Sequence, residues 1–71
     1  MKKNLNDFYE LVNINKRKFK SWRYGQTVFN TLVDYDPEIA EEIRASKLDP
    51  FYNDAIVEKT MEYVEKKWNK E

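Results

Sequence analysis

Three groups of residues in the 71-residue chain carry side chains able to do chemistry. Lys16, Arg17, Lys18, Lys20 and Arg23 interleave with Phe19, Trp22 and Tyr24. Cations grip phosphates and flat rings stack on bases, so this combination suits nucleic acid. Asp49 and Asp54 bracket an aromatic turn, and a pair of acids is the raw material of general acid–base catalysis. Such a pair needs a cleft to drive its pKa values apart, and so short a chain has little volume to build one. Asp34, Asp36 and Glu38 repeat the opening of a calcium loop, but the loop glycine and the distal glutamate are missing, so helix capping is the better account.

The absent residue types exclude more. With no His and no Cys, imidazole triads, thiolate nucleophiles, disulfides and the usual zinc sites all fall away. The single glycine, Gly25, cannot make a phosphate-cradling loop. The chain is therefore expected to be non-enzymatic, with no cofactor and no metal. No apolar run reaches the roughly 18 residues of a membrane span, and the start of the chain does not read as a signal peptide, so a cytoplasmic protein without membrane partners is expected.

The 13 basic and 13 acidic side chains cancel in total but not along the chain. Residues 1–23 hold seven basic groups against two acidic ones, and residues 24–71 hold six against eleven. The plainer account of the basic segment is a solvated helix face, paired in part with the acidic later helices, with its rings turned into the core.

The elements that must position these groups are helical. Leu5, Phe8, Leu11 and Val12 recur three and four apart behind Asn4, a candidate N-cap. Whether this helix runs on through residues 13–21 is left open by Asn13-Ile14-Asn15. Ser21 is placed to cap a second helix whose stripe is Gly25, Val28, Phe29, Leu32 and Val33; the glycine on that stripe implies that another group passes close by. Asp36 and Pro37 form a cap and first-turn pair for a short third helix through Ile39, Ala40 and Ile43. In the Leu48–Asp54 turn, Phe51 is expected to plug the end of the bundle, with Asn53 or Asp54 capping the next helix. A final amphipathic helix over residues 55–69 carries Val57, Met61, Val64 and Trp68, with Glu62 and Lys66 as an i to i+4 pair. The expected fold is one all-α domain over residues 1–71, a bundle of three to four short helices.

Arg23-Tyr24-Gly25-Gln26, Phe29-Asn30 and Leu48-Asp49-Pro50-Phe51-Tyr52-Asn53-Asp54 resemble a family of small bacterial and phage proteins. In that family a Gly-Gln-x-x-x-Asn helix precedes an Asp-Pro-Phe-Tyr turn. The resemblance covers residues 23–54, with Ala45-Ser46-Lys47 where the family carries Gly-Thr. It implies a small stand-alone fold in a phage or mobile-element setting and nothing about catalysis. Beside it stands a structural expectation: Arg23, Gln26 and Asn30 on the helix and Asp49 and Asp54 at the turn form a polar clamp.

The leading functional expectation is a protein-binding module that occludes a host protein, such as a defence nuclease, in the manner of an anti-CRISPR protein. Its contact residues would be Tyr35, Tyr52 and Tyr63 with Asp34, Asp49 and Glu62, because tyrosine offers wide contact area with few rotors. The alternative is a nucleic-acid-binding accessory protein using Lys16, Arg17, Lys18, Lys20 and Arg23. A monomer or weak homodimer fits either.

Overall fold

The computed structural model describes residues 3–70. Four α-helices run in order, α1 over Leu5–Lys18, α2 over Tyr24–Tyr35, α3 over Pro37–Arg44 and α4 over Val57–Asn69, the last preceded by a 3₁₀ turn at Asp54–Ile56. Among the described residues there is no strand, and no helix is long and apolar enough to cross a membrane. The all-α expectation stands.

The Asn4 side chain caps α1 by accepting from Asp7 N at 2.9 Å, and Phe8 and Val12, one turn apart, are its buried residues. The helix does not break at Asn13-Ile14-Asn15. Asn15 donates from its amide to Thr31 Oγ1 at 2.8 Å, so a residue of low helix propensity is held by a bond to α2. The stop comes where Phe19 N reaches back to Asn15 O at 2.8 Å.

The middle helix, α2, is buried on most of its circumference. Gly25, Val28, Phe29 and Leu32 are buried, and so are Thr27 and Thr31, whose hydroxyls donate to the carbonyls of Arg23 and Thr27 one turn back. That back-bonding is what lets two hydroxyls sit in an apolar environment. Ser21 does not cap this helix. The cap position belongs to Arg23, whose side chain makes no cap bond, and the acceptor comes from 29 residues further along: Asp54 Oδ1 takes the Gly25 amide at 2.9 Å.

Gly25 has ordinary helical backbone dihedrals, so its role is space. A Cβ there would run into the Pro50 carbonyl oxygen and lie 2.7 Å from Asp54 Oδ1. The close approach that glycine on an apolar stripe implies is thus to the Pro50 backbone. Pro50 itself is fully buried, whereas Phe51 is only half-buried and meets Phe29 edge-to-face at 6.1 Å between ring centres. The plug of this turn is therefore Pro50, with Phe51 lying over its rim. Asp49 Oδ1 accepts from Phe51 N, and Asn53 Oδ1 accepts from Ala55 N, fixing the turn and starting the 3₁₀ segment.

Asp36 and Pro37 open α3 as the sequence implies, with Asp36 Oδ1 accepting from Ile39 N at 3.3 Å. The second carboxylate oxygen accepts from Trp68 Nε1 at 2.8 Å, inside the protein. Trp68 closes the core against Phe8 and Tyr35, with ring centres 5.7 and 5.5 Å away. Val57, Met61 and Val64 complete the buried face of α4, so that helix docks on its own chain. Glu62 and Lys66 form no salt bridge among the described residues; Lys67 pairs instead with Glu42 of α3 at 3.2 Å.

Gly25→Ala is expected to lower stability by about 1–3 kcal/mol through overpacking, although helix propensity alone favours Ala by about 1 kcal/mol. A urea melt of the variant at or above the parent midpoint contradicts the close approach. Trp68→Phe keeps a ring but strands a buried Asp36 oxygen, so a loss of about 1–3 kcal/mol or more is expected on the same assay. If Trp68→Phe costs as much in an Asp36→Asn background as in the parent, the pairing contributes no net coupling.

Candidate functional site

The residues linking α1 to α2 form the most distinctive surface. Phe19 closes α1, and Trp22 N donates back to Phe19 O at 3.0 Å, making residues 19–22 a tight turn. The turn brings its first and last side chains together. The Phe19 and Trp22 rings stack with centres 4.1 Å apart and planes within 15°. Neither ring belongs to the core: Phe19 is 43% exposed and Trp22 half-buried. Tyr24, the next ring, is also exposed and carries the Lys16 ammonium 5.0 Å above its centre. Turning these rings into the core, the plainer expectation for this segment, does not happen, because Phe8, Val12 and the α2 stripe already fill that space.

The neighbouring cations lack acidic partners. Among the described residues Lys16, Arg17, Lys18 and Lys20 form no salt bridge, so pairing with the acidic later helices is not seen. From Leu11 to Val33 the sequence holds no Asp or Glu at all. Arg23 differs from the other four. Its Nη2 donates to Phe51 O at 2.9 Å and its Nε lies 3.9 Å from Asp54 Oδ1, so it ties α2 to the later turn.

That tie is the part of the expected polar clamp that forms. Asp54 joins it through Gly25, while Asp49 turns inward on its own loop at Phe51 N. Gln26 and Asn30 make no side-chain hydrogen bond among the described residues. The turn comes to α2 at its first turn, through Gly25 and Arg23, and leaves these two amides outside the bonded set. Asn30 instead lines a groove of about 440 Å³ with Phe29, Val33, Arg44, Asp49 and Tyr52.

The three tyrosines expected as partner contacts separate. Tyr52 is 82% exposed, its ring 4.7 Å from Phe51. Tyr35 is built into the fold: it packs on Phe8 and Trp68, and its hydroxyl accepts from Asn4 N at 3.2 Å. Tyr63 donates its hydroxyl to Glu42 Oε1, and Lys67 lies over its ring. Asp34 and Glu62 are exposed, on α2 and α4 respectively. Glu62 lines a second groove with Glu58, Glu65, Asp54, Tyr9 and Tyr24. The Asp34, Asp36 and Glu38 run does not converge, since Asp36 is drawn into the core by Ile39 N and Trp68.

The Tyr63–Glu42–Lys67 group shifts all three of its members. The hydrogen bond from Tyr63, then that from Lys67, holds the Glu42 carboxyl below its ordinary range. The same bond to Glu42 pushes Tyr63 above its ordinary value of 10.0, and Lys67 is raised by its bond to Glu42. Burial, followed by repulsion from Tyr24 and Glu65, raises Tyr9. What a single-sequence reading missed was the Phe19–Trp22 stack. Its signal was the i to i+3 spacing across Lys20-Ser21, which reads equally well as a helical stripe.

Ultraviolet titration is expected to place Tyr63 ionisation above that of free tyrosine, and Glu42→Gln should bring it back. The raised tyrosine favours the fold below its unfolded pKa and loses that contribution as pH climbs through the folded one. The lowered Glu42 favours the fold above its unfolded pKa and loses it as pH falls. Tyr63 titrating with free tyrosine in the parent protein contradicts the bond.

No protein-family model, curated protein or solved structure matches this chain.

Proposed function

We propose that the protein is a small binding module without catalytic activity of its own, and that its working surface is the α1–α2 connection, which takes nucleic acid. One observation carries this reading: two rings stand stacked outside the core amid four cations with no salt-bridge partner among the described residues. Exposed aromatic surface costs solvation free energy, and clustered like charge costs repulsion. The fold tolerates both at one place, and a polyanion bearing flat bases relieves both. The working cations are Lys16, Arg17, Lys18 and Lys20; Arg23 serves the turn.

Occlusion of a protein partner is the second reading, and Tyr52 is the observation in its favour. Among Tyr35, Tyr52 and Tyr63 it alone makes no polar side-chain contact with the described residues and is largely exposed. In the mobile-element setting that the resemblance implies, the partner would be a host protein, a defence nuclease among the candidates.

Anisotropy of labelled 15-nucleotide DNA, single-stranded and duplex, at salt from 50 to 200 mM tests the first reading. Binding should weaken with salt, with a log–log slope of roughly 0.7 per phosphate neutralised on a single strand or 0.9 on a duplex. Replacing Lys16, Arg17, Lys18 and Lys20 by Gln should flatten that slope without lowering the melting temperature. Absence of binding to either DNA at 50 mM salt refutes the reading. A protein partner captured from nuclease-treated lysate and lost in Tyr52→Ala supports the second.

A further inference from the structure

Resting on the nucleic-acid reading, we infer that the ligand is single-stranded and that the outer face of Phe19 is the platform on which an unpaired base stacks. The two rings of the turn are not equivalent. Trp22 is half-buried, whereas Phe19 is 43% exposed, so the stack has an inner and an outer member. Among the described residues Phe19 has no aromatic neighbour other than Trp22, so one of its faces has no stacking partner within the protein. The turn hydrogen bond from Trp22 N to Phe19 O fixes the orientation of the pair before any ligand arrives, which removes ordering cost from binding.

The surrounding charge follows the platform. Lys16, Arg17 and Lys18 occupy the last turn of α1 immediately before Phe19, and Lys20 follows it. Cations on a last turn also offset the negative end of a helix, which accounts for the first three without any ligand. That account leaves Lys20 unexplained, and it leaves the exposed Phe19 ring unexplained. A strand lying along the turn places its phosphates among these four groups while one base covers Phe19.

The same geometry argues against duplex. In a double helix both faces of each base are taken by its neighbours, and a ring can meet them only by unstacking a step. The groove-reading modules enter with a helix or ribbon that presents side chains to base edges. Here the rings sit on a turn at the end of a helix, a placement suited to bases already free. The stacking chemistry is shared by single-stranded DNA and RNA, which the experiment separates.

The experiment measures anisotropy of fluorescein-labelled dT15, rU15 and a 15-base-pair duplex with the full chain, its Phe19→Ala and Phe19→Tyr variants, and the Arg17→Gln/Lys18→Gln/Lys20→Gln variant. Expected results are a tighter complex with single strands than with duplex, roughly five- to 100-fold weakening in Phe19→Ala at unchanged salt slope, and near-parental affinity in Phe19→Tyr. Melting temperatures of the Phe19 variants should stay within a few degrees of the parent, since the ring lies outside the core. The triple-Gln variant should lose affinity and slope together. A Phe19→Ala protein that binds as the parent does overturns the platform while leaving the nucleic-acid reading intact. Preference for duplex overturns the single-strand assignment, and failure of every oligonucleotide to bind removes the reading on which both rest. Equal affinity for polyglutamate of the same length, indifferent to Phe19, also overturns the platform and identifies the surface as a general polyanion site. The dT15 to rU15 ratio states which nucleic acid is preferred.

Discussion

Asp36 is the residue through which the helices are joined. Its amide closes α2 on Leu32 O, one carboxylate oxygen caps α3 at Ile39 N, and the other holds the Trp68 indole of α4. Trp68 then lies against Phe8, the buried anchor of α1. One buried carboxylate with both oxygens occupied thus sets the relation of all four helices. In a chain with no disulfide this matters, because packing alone must fix the geometry and apolar packing tolerates slippage that a hydrogen-bonded carboxylate does not. The same residue explains why a three-acid run that looks like part of a cation loop becomes a corner of the core.

How far the sequence discloses the fold depends on whether the determining contact is local. Asn4, Asp36 and Pro37 act within one helical turn, and all three were legible from their neighbours alone. The apolar stripes of α2 and α4 were legible for the same reason. The α2 cap was not: Ser21 has the right chemistry in a plausible place, yet the acceptor is Asp54, brought in by the tertiary fold. Gly25 was half-legible, since its presence announced a close approach but not that Pro50 makes it. Phe19 and Trp22 show the limit most directly. Their spacing is identical in a helix and in a four-residue turn, and only the hydrogen bond between them decides which one exists.

The surface divides by charge as the sequence implies, and the structure gives that division a shape. The basic connection lies at the end of α1, while Asp54, Glu58, Glu62 and Glu65 line a groove beside α4 that Tyr24 also borders. Tyr24 therefore stands at the boundary, with Lys16 over its ring and acids along the adjoining groove. Such a molecule presents different faces to a polyanion and to a cationic partner. Long-range steering favours approach of a polyanion from the α1–α2 end at low salt. Arg23, although still more than half exposed, spends its guanidinium on Phe51 O and Asp54, which sets it apart from the four basic residues without an acidic partner among the described residues.

The bond between Gly25 and Asp54 spans 29 residues and joins the start of the central helix to the start of the last one. Its consequence lies in the order of assembly. The Gly25 amide has no acceptor within the protein until the chain has been made as far as Asp54, so a nascent α2 has its first turn capped by water alone while residues 36–54 are added. Within the finished fold the Gly25 amide reports on the turn around Pro50, because that turn packs against Gly25 and supplies the Asp54 acceptor next to it. A protein this small has little room for independently opening parts, and this one bond couples its two halves.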